Sequence, residues 1–115
     1  MPLTSLDHLP GAVRAYLDAR ARDDRPAAAE CFTPSAVVVD DGSTYRGHEA
    51  IRRWLSRSST EYTYTTTLMT AVRHDRTHCN VTQRLEGDFP GGVADLDFAF
   101  TLDGAGITEL VIGPL

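Results

Sequence analysis

The sequence predicts an α+β fold in which helices cover one face of an antiparallel (mixed) sheet. Two observations carry this. Up to about residue 56 the apolar residues mostly recur at helical spacing, and beyond it they alternate with polar ones. The resulting order is α-α-β-β-α-β-β-β-β, helices early and strands late, the pattern of a sheet with helices on one side. A length of 115 residues suits one domain, residues 1–115, with one core.

Leu9, Val13, Tyr16 and Leu17 set the first helix, Leu9 to about Arg22, with Pro10 tolerated in its first turn. Asp18, Arg20 and Arg22 fall largely off that apolar stripe and are expected to be wet. Asp23-Asp24 interrupts the pattern, and one of the pair caps a short second helix that carries Pro26 in its first turn. Ala28, Cys31 and Phe32 form its buried face. Thr33-Pro34-Ser35 ends that helix, because Pro34 disfavours α geometry at Thr33. Ala36 to Asp40 is a short β-branched strand, Asp41-Gly42-Ser43 a turn, and Thr44-Tyr45-Arg46 a brief return strand. Gly47 opens a third helix, His48 to about Ser56, with Ala50, Ile51, Trp54 and Leu55 inward. His48 reads as a solvated first-turn residue.

Glu61 to Val72, rich in Thr and Tyr, is a long strand. A polar turn at 73–76, a strand from Thr77 to Leu85 and a Gly-rich loop at 87–92 follow. From Ala94 to Leu102 the alternation is clean, with Leu96, Phe98, Phe100 and Leu102 on one face and Asp95, Asp97, Ala99 and Thr101 on the other. A turn at 103–106 leads to a last strand, Ile107 to Ile112.

The formal charge is −5, and all 11 basic residues are Arg. An acidic chain is a poor general partner for nucleic acid, where phosphate neutralisation supplies most of the affinity. Without Lys, Schiff-base chemistry has no amine. Cys31 and Cys79 lie far apart, form no metal-ligand spacing and read as free thiols. His8, His48, His74 and His78 do not pair at ligand spacing on one helix, so neither a metal nor another cofactor is expected. The first residues lack a basic and then apolar leader pattern, and no run is long enough to span a bilayer. The expected location is the cytoplasm, with no membrane partner.

The segments Leu9–Leu17, Cys31–Gly42, Tyr45–Trp54 and Phe100–Ile107 together resemble the nuclear transport factor 2-like superfamily, and within it the small SnoaL-like and ketosteroid isomerase-like proteins. The resemblance implies a curved sheet forming a cone-like half-barrel, closed by the three helices around a pocket. It also implies a homodimer through the outer face of the sheet. Activities in the superfamily include isomerases, cyclases, dehydratases and epoxide hydrolases, and some members do not catalyse.

In the isomerases an aspartate follows an apolar strand, four residues after a small residue, and Ala36 and Asp40 have that spacing. The resemblance makes Asp40 the base that takes a proton from carbon beside a carbonyl. Read from the residues alone, Asp40 is equally an acid at the head of an Asp-Gly turn. Tyr16 resembles the tyrosine that donates a hydrogen bond to an enolate oxygen; alone, it is an amphipathic core aromatic. Where the isomerases place a second, protonated acid, this chain has Phe98, with Asp97 one residue away. A one-residue slip reverses the face, so Asp97 is either an outward acid, in solvent or beside an Arg, or, turned inward, an acid–base group of the SnoaL-like cyclase kind. Tyr45, Trp54, Tyr62, Tyr64 and Phe98 are the candidate lining for a small apolar ligand, although Trp54 could equally be the anchor of the third helix. Two functions stay open: a cofactor-free isomerase, cyclase or hydrolase, and a non-catalytic binding or interaction module.

Overall fold

Residues 8–115 are described in the computed structural model, except for the side chains of residues 58–60. The opening residues 1–7, read above for a leader, lie outside the described part. The elements run α1 (Gly11–Ala21), α2 (Arg25–Glu30), β1 (Phe32–Asp40), β2 (Ser43–Arg46), α3 (Gly47–Thr60), β3 (Tyr64–Arg73), β4 (His78–Gly87), β5 (Val93–Asp103) and β6 (Gly106–Pro114). This is the order expected from the sequence.

The strands form one open mixed sheet in the order β2-β1-β6-β5-β4-β3. The β1–β6 pair is parallel and the others are antiparallel. Asp41 and Gly42, with φ of 52° and 77°, form the two-residue turn between β1 and β2. Positive φ at both turn positions is what a tight, right-twisted hairpin needs, and Asp-Gly supplies it at little cost. Asp40 therefore ends β1 as a strand residue, in register with Ser43 on one side and Ile112 on the other.

All three helices bury one stripe. Val13, Tyr16 and Ala19 of α1, Ala28 and Ala29 of α2, and Ile51, Trp54 and Leu55 of α3 meet Ala36, Val38, Phe98, Phe100, Leu110 and Ile112 of the sheet. Asp24 caps α2 by accepting a hydrogen bond from Ala27 N–H at 3.2 Å, and Pro26 occupies the first turn, where no N–H partner is required. The helices pack chiefly on β1, β2 and β6, so the inner faces of β3 and β4 and the ends of β5 and β6 project beyond the roof.

Three details differ from the sequence reading. Phe32 is not on α2: β1 begins there and runs through Pro34. The β1–β6 register shifts between Phe32 and Val37, so the ladder demands no N–H from Pro34 and the proline is accommodated. α3 runs on to Thr60 and β3 starts at Tyr64, because Glu61 N–H bonds Arg57 O at 2.9 Å and prolongs the helical end. His48 is half-buried, with Nε2 donating to Phe32 O at 2.7 Å, which ties the start of α3 to the start of β1.

Gly106 is the tightest backbone approach in the core. Its φ is +148°, and a Cβ there would lie 2.8 Å from Cys31 O, the carbonyl that accepts from Ile107 N–H at 2.9 Å. Gly106→Ala is expected to lower the unfolding free energy by about 1–3 kcal/mol, through backbone strain and overpacking together. Urea unfolding of the variant checks this, and an unchanged midpoint would contradict it.

Candidate functional site

The site is assembled from one helix turn, one indole and one strand end. Tyr16 and Arg20 are four residues apart on α1 and so lie on the same side of the helix. Tyr16 is deep, 1% exposed, and packs edge-on against Phe32 and Phe100 at centroid distances of 5.6 and 5.7 Å. Such edge-to-face contacts add to the burial energy of the ring and fix its orientation. Arg20 stands one turn nearer the rim, with its guanidinium carbon 5.4 Å from the centre of the Trp54 ring and Nη2 at 3.4 Å from the Tyr64 hydroxyl. The sequence reading expected Arg20 to be wet. It is half-buried, because the indole face offers a site where a cation keeps an electrostatic partner while its stem covers apolar surface.

Trp54, on α3, is 3% exposed, and its Nε1–H donates to Asp40 Oδ2 at 2.9 Å. A buried indole N–H needs an acceptor, and the carboxylate at the end of β1 provides one. Asp40 shares the inner face of β1 with Ala36 and Val38, four and two residues earlier, so the strand period aims it inward. It is not engaged in capping the Asp41-Gly42 turn; its hydrogen bond runs to Trp54. Among the described residues, no donor engages Oδ1.

Two adjoining hollows, of about 840 and 740 Å³, open beside these groups. Tyr16, Arg20, Tyr62, Tyr64, Leu85 and Phe98 line both, so they are lobes of one cleft. The first lobe lies between α1 and the inner faces of β3 and β4, with Leu68 and Gln83 in its wall. Asp40 and Trp54 border the second, which extends to Leu96 and Ile112. Either volume is of the size that holds a small organic molecule.

The structure thus brings together Asp40, Tyr16, Trp54, Tyr62, Tyr64 and Phe98 around one cleft. Tyr45 is not in the cleft wall; it packs behind Trp54 at a centroid distance of 6.3 Å. Tyr62 is at the rim, edge-on to Phe89 at 6.0 Å. Asp97 faces the other side of the sheet, where both carboxylate oxygens accept from Asn80 Nδ2, at 3.1 and 2.9 Å. Asn80 Oδ1 in turn bonds His74 Nε2 at 2.6 Å.

Two cleft residues escaped the sequence reading. Arg20 carried a signal in its i+4 spacing from Tyr16. Gln83 also carried one: it stands at an inward position of β4, between Val81 and Leu85, and is 8% exposed. A polar side chain in an apolar period marks either a buried bond or a cavity wall. Among the described residues no group of three His, Cys, Asp or Glu side chains could hold a metal ion, and no helix is long and apolar enough to cross a membrane.

Comparison with known proteins places this geometry in context. Residues 13–108 match the family model of the SnoaL-like domain. A candidate polyketide cyclase from Sinorhizobium meliloti is 31% identical, with a TM-score of 0.88 over 96% of this chain and 100% of that one. A Catenulispora acidiphila protein of ketosteroid isomerase-like fold, solved with trimethylamine, is 22% identical, with a TM-score of 0.77 over 90% of this chain and 85% of that one. A candidate polyketide cyclase from Xanthomonas campestris is 20% identical, with a TM-score of 0.73 over 89% and 86% of the two chains. No curated protein matches the sequence.

Burial pushes the Tyr16 phenol up to about 12, the nearby Arg20 charge opposing and the Tyr64 and Asp40 charges adding. Tyr16 is therefore a protonated hydrogen-bond donor at neutral pH. It retains its proton where an unfolded tyrosine, near 10, has lost one, so the folded state binds more protons between these values. Stability is expected to fall as pH rises from about 10 to 12, by up to about 1.4 kcal/mol per pH unit from this group. Phenolate absorbance should show one of the four tyrosines titrating last, and Tyr16→Phe should remove that step. Four tyrosines titrating together in the folded protein would contradict it.

Proposed function

Because the chain belongs to the SnoaL-like family, we propose that it is a cofactor-free acid–base catalyst of the isomerase or cyclase kind, acting on a small, largely apolar carbonyl compound. The observation that carries this reading is that Asp40 and Tyr16 border the same cleft. Asp40 is the base. Its Oδ1 takes the proton from carbon next to the carbonyl, the C–H electron pair passes into the enolate, and Trp54 holds Oδ2 so that the carboxylate keeps one orientation. Tyr16 donates its phenolic proton in a hydrogen bond to the enolate oxygen. In an isomerisation the proton on Asp40 returns to another carbon of the substrate. In a cyclisation the enolate carbon attacks a second carbonyl, whose oxygen takes the carbonyl electron pair and then the proton from Asp40. Phe98 and Leu96 supply apolar walls that keep water from the enolate.

A second reading has its own support. Phe98 lies on the inner face of β5, at the place where the resemblance puts a second acidic donor. A cleft with a single phenol to stabilise an enolate also suits a protein that binds such a compound without turning it over.

Deuterium exchange at the α-carbon of small cyclic ketones, followed by NMR, separates the two. Catalysis predicts exchange faster than in buffer, lowered roughly 10²–10⁴-fold in Asp40→Asn and about 10²–10³-fold in Tyr16→Phe. Thermal stabilisation by the same ketones with no enhanced exchange would support the binding reading and end the catalytic one.

A further inference from the structure

We propose that Arg20 is a specificity determinant: it selects a ligand with a flat apolar body and an anionic oxygen, a carboxylate or an acidic enol, at one end. The inference shares the cleft with the reading above but does not need turnover.

Arg20 is placed for this role by three contacts. It lines both lobes of the cleft, so a molecule in either one meets it. Its guanidinium carbon lies over the Trp54 ring, 5.4 Å from the centroid, and the fork of N–H donors on a guanidinium matches a planar oxygen pair. Its Nη2 reaches the Tyr64 hydroxyl at 3.4 Å, a long bond to a neutral group. A carboxylate oxygen is a stronger acceptor than a phenol. Tyr16, one turn away, adds a second donor on the same side.

The other charges at the cleft sort by place. Asp41 and Glu61 border the second lobe together with Asp40, and Glu61 is ion-paired with Arg57 at 3.3 Å. Asp18, Asp23 and Arg14 edge the first lobe, where Asp18 is ion-paired with Arg22 and Asp23 with Arg25. The acids of the second lobe repel an anion, those of the first are matched by Arg14, Arg22 and Arg25, and the chain as a whole carries −5. General attraction therefore works against an anionic ligand, so a preference for one would trace to Arg20.

The test is a matched pair of ligands, 2-naphthoate and 2-naphthamide, titrated calorimetrically into the full chain. The wild type is expected to bind the carboxylate about tenfold or more tightly than the amide, the scale of a charge-assisted hydrogen bond. Arg20→Gln should bring the ratio to about one while leaving amide affinity within about twofold. Arg20→Lys should keep part of the preference, and a melting curve confirms that each variant is folded. Equal affinities in the wild type, an unchanged ratio in Arg20→Gln, or no binding of either ligand at millimolar concentration would each overturn the proposal. Asp40→Asn keeps this test independent: the carboxylate preference should persist there even if α-carbon exchange shows no dependence on Asp40.

Discussion

The indole of Trp54 is the point on which the cleft depends. It is one side chain with three attachments: its ring packs in the helix layer with Ile51 and Leu55, its Nε1–H is bound to Asp40, and its face carries Arg20. These attachments reach three different elements, α3, β1 and α1. A tryptophan can do this because it combines a large apolar area with one directional donor. Burying the ring is worth a few kcal/mol, and the cation above it adds about 1 kcal/mol or less at a half-exposed site. The larger consequence is geometric. The Asp40 carboxylate, the Arg20 cation and the helix that carries Tyr16 are held relative to one another by a single rigid group.

The cleft itself follows from how the helices are distributed. They cover β1, β2 and β6, while the sheet continues to β3, so its inner face is left partly unroofed. Leu68, Leu85, Leu96 and Phe98 form the apolar part of that face, beside Gln83 and the charged groups at its edges. In such surroundings each polar side chain counts for more than it would in water, because the local dielectric is lower. Tyr16 illustrates the effect: burial, the largest cause, raises its phenol above the ordinary tyrosine value. An acid from β1 and a cation from α1 both border the cleft, each held against the Trp54 indole.

The order of elements was legible because the hydrophobic period changes once along the chain, from helical to alternating. The pairing of Asp40 with Tyr16 at one cleft was legible only through family resemblance, since nothing in either local sequence distinguishes a base from a turn acid or a donor from a core aromatic. Asp40 proved to be hydrogen-bonded to Trp54, a contact between residues 14 apart on different elements that no local pattern encodes. Arg20 was misplaced for a related reason. Its position on the helical wheel suggested water, and the indole that receives it comes from another helix. Phe32 was assigned to α2 because Pro34 reads as a boundary, whereas the register shift in β1 absorbs the proline. Each miss involves a tertiary partner that overrode a local preference.

Trp54 is the chain's single tryptophan, so the indole N–H gives one unambiguous NMR cross-peak. Its exchange with water and its response to Asp40→Asn test the central arrangement most directly. If the indole is bound to the Asp40 carboxylate inside the cleft, the peak exchanges slowly in the wild type and moves upfield in Asp40→Asn, where the acceptor becomes a neutral amide. A fast-exchanging peak that keeps its position in the variant would mean that the indole does not hold the carboxylate, and the account of the site would fail with it.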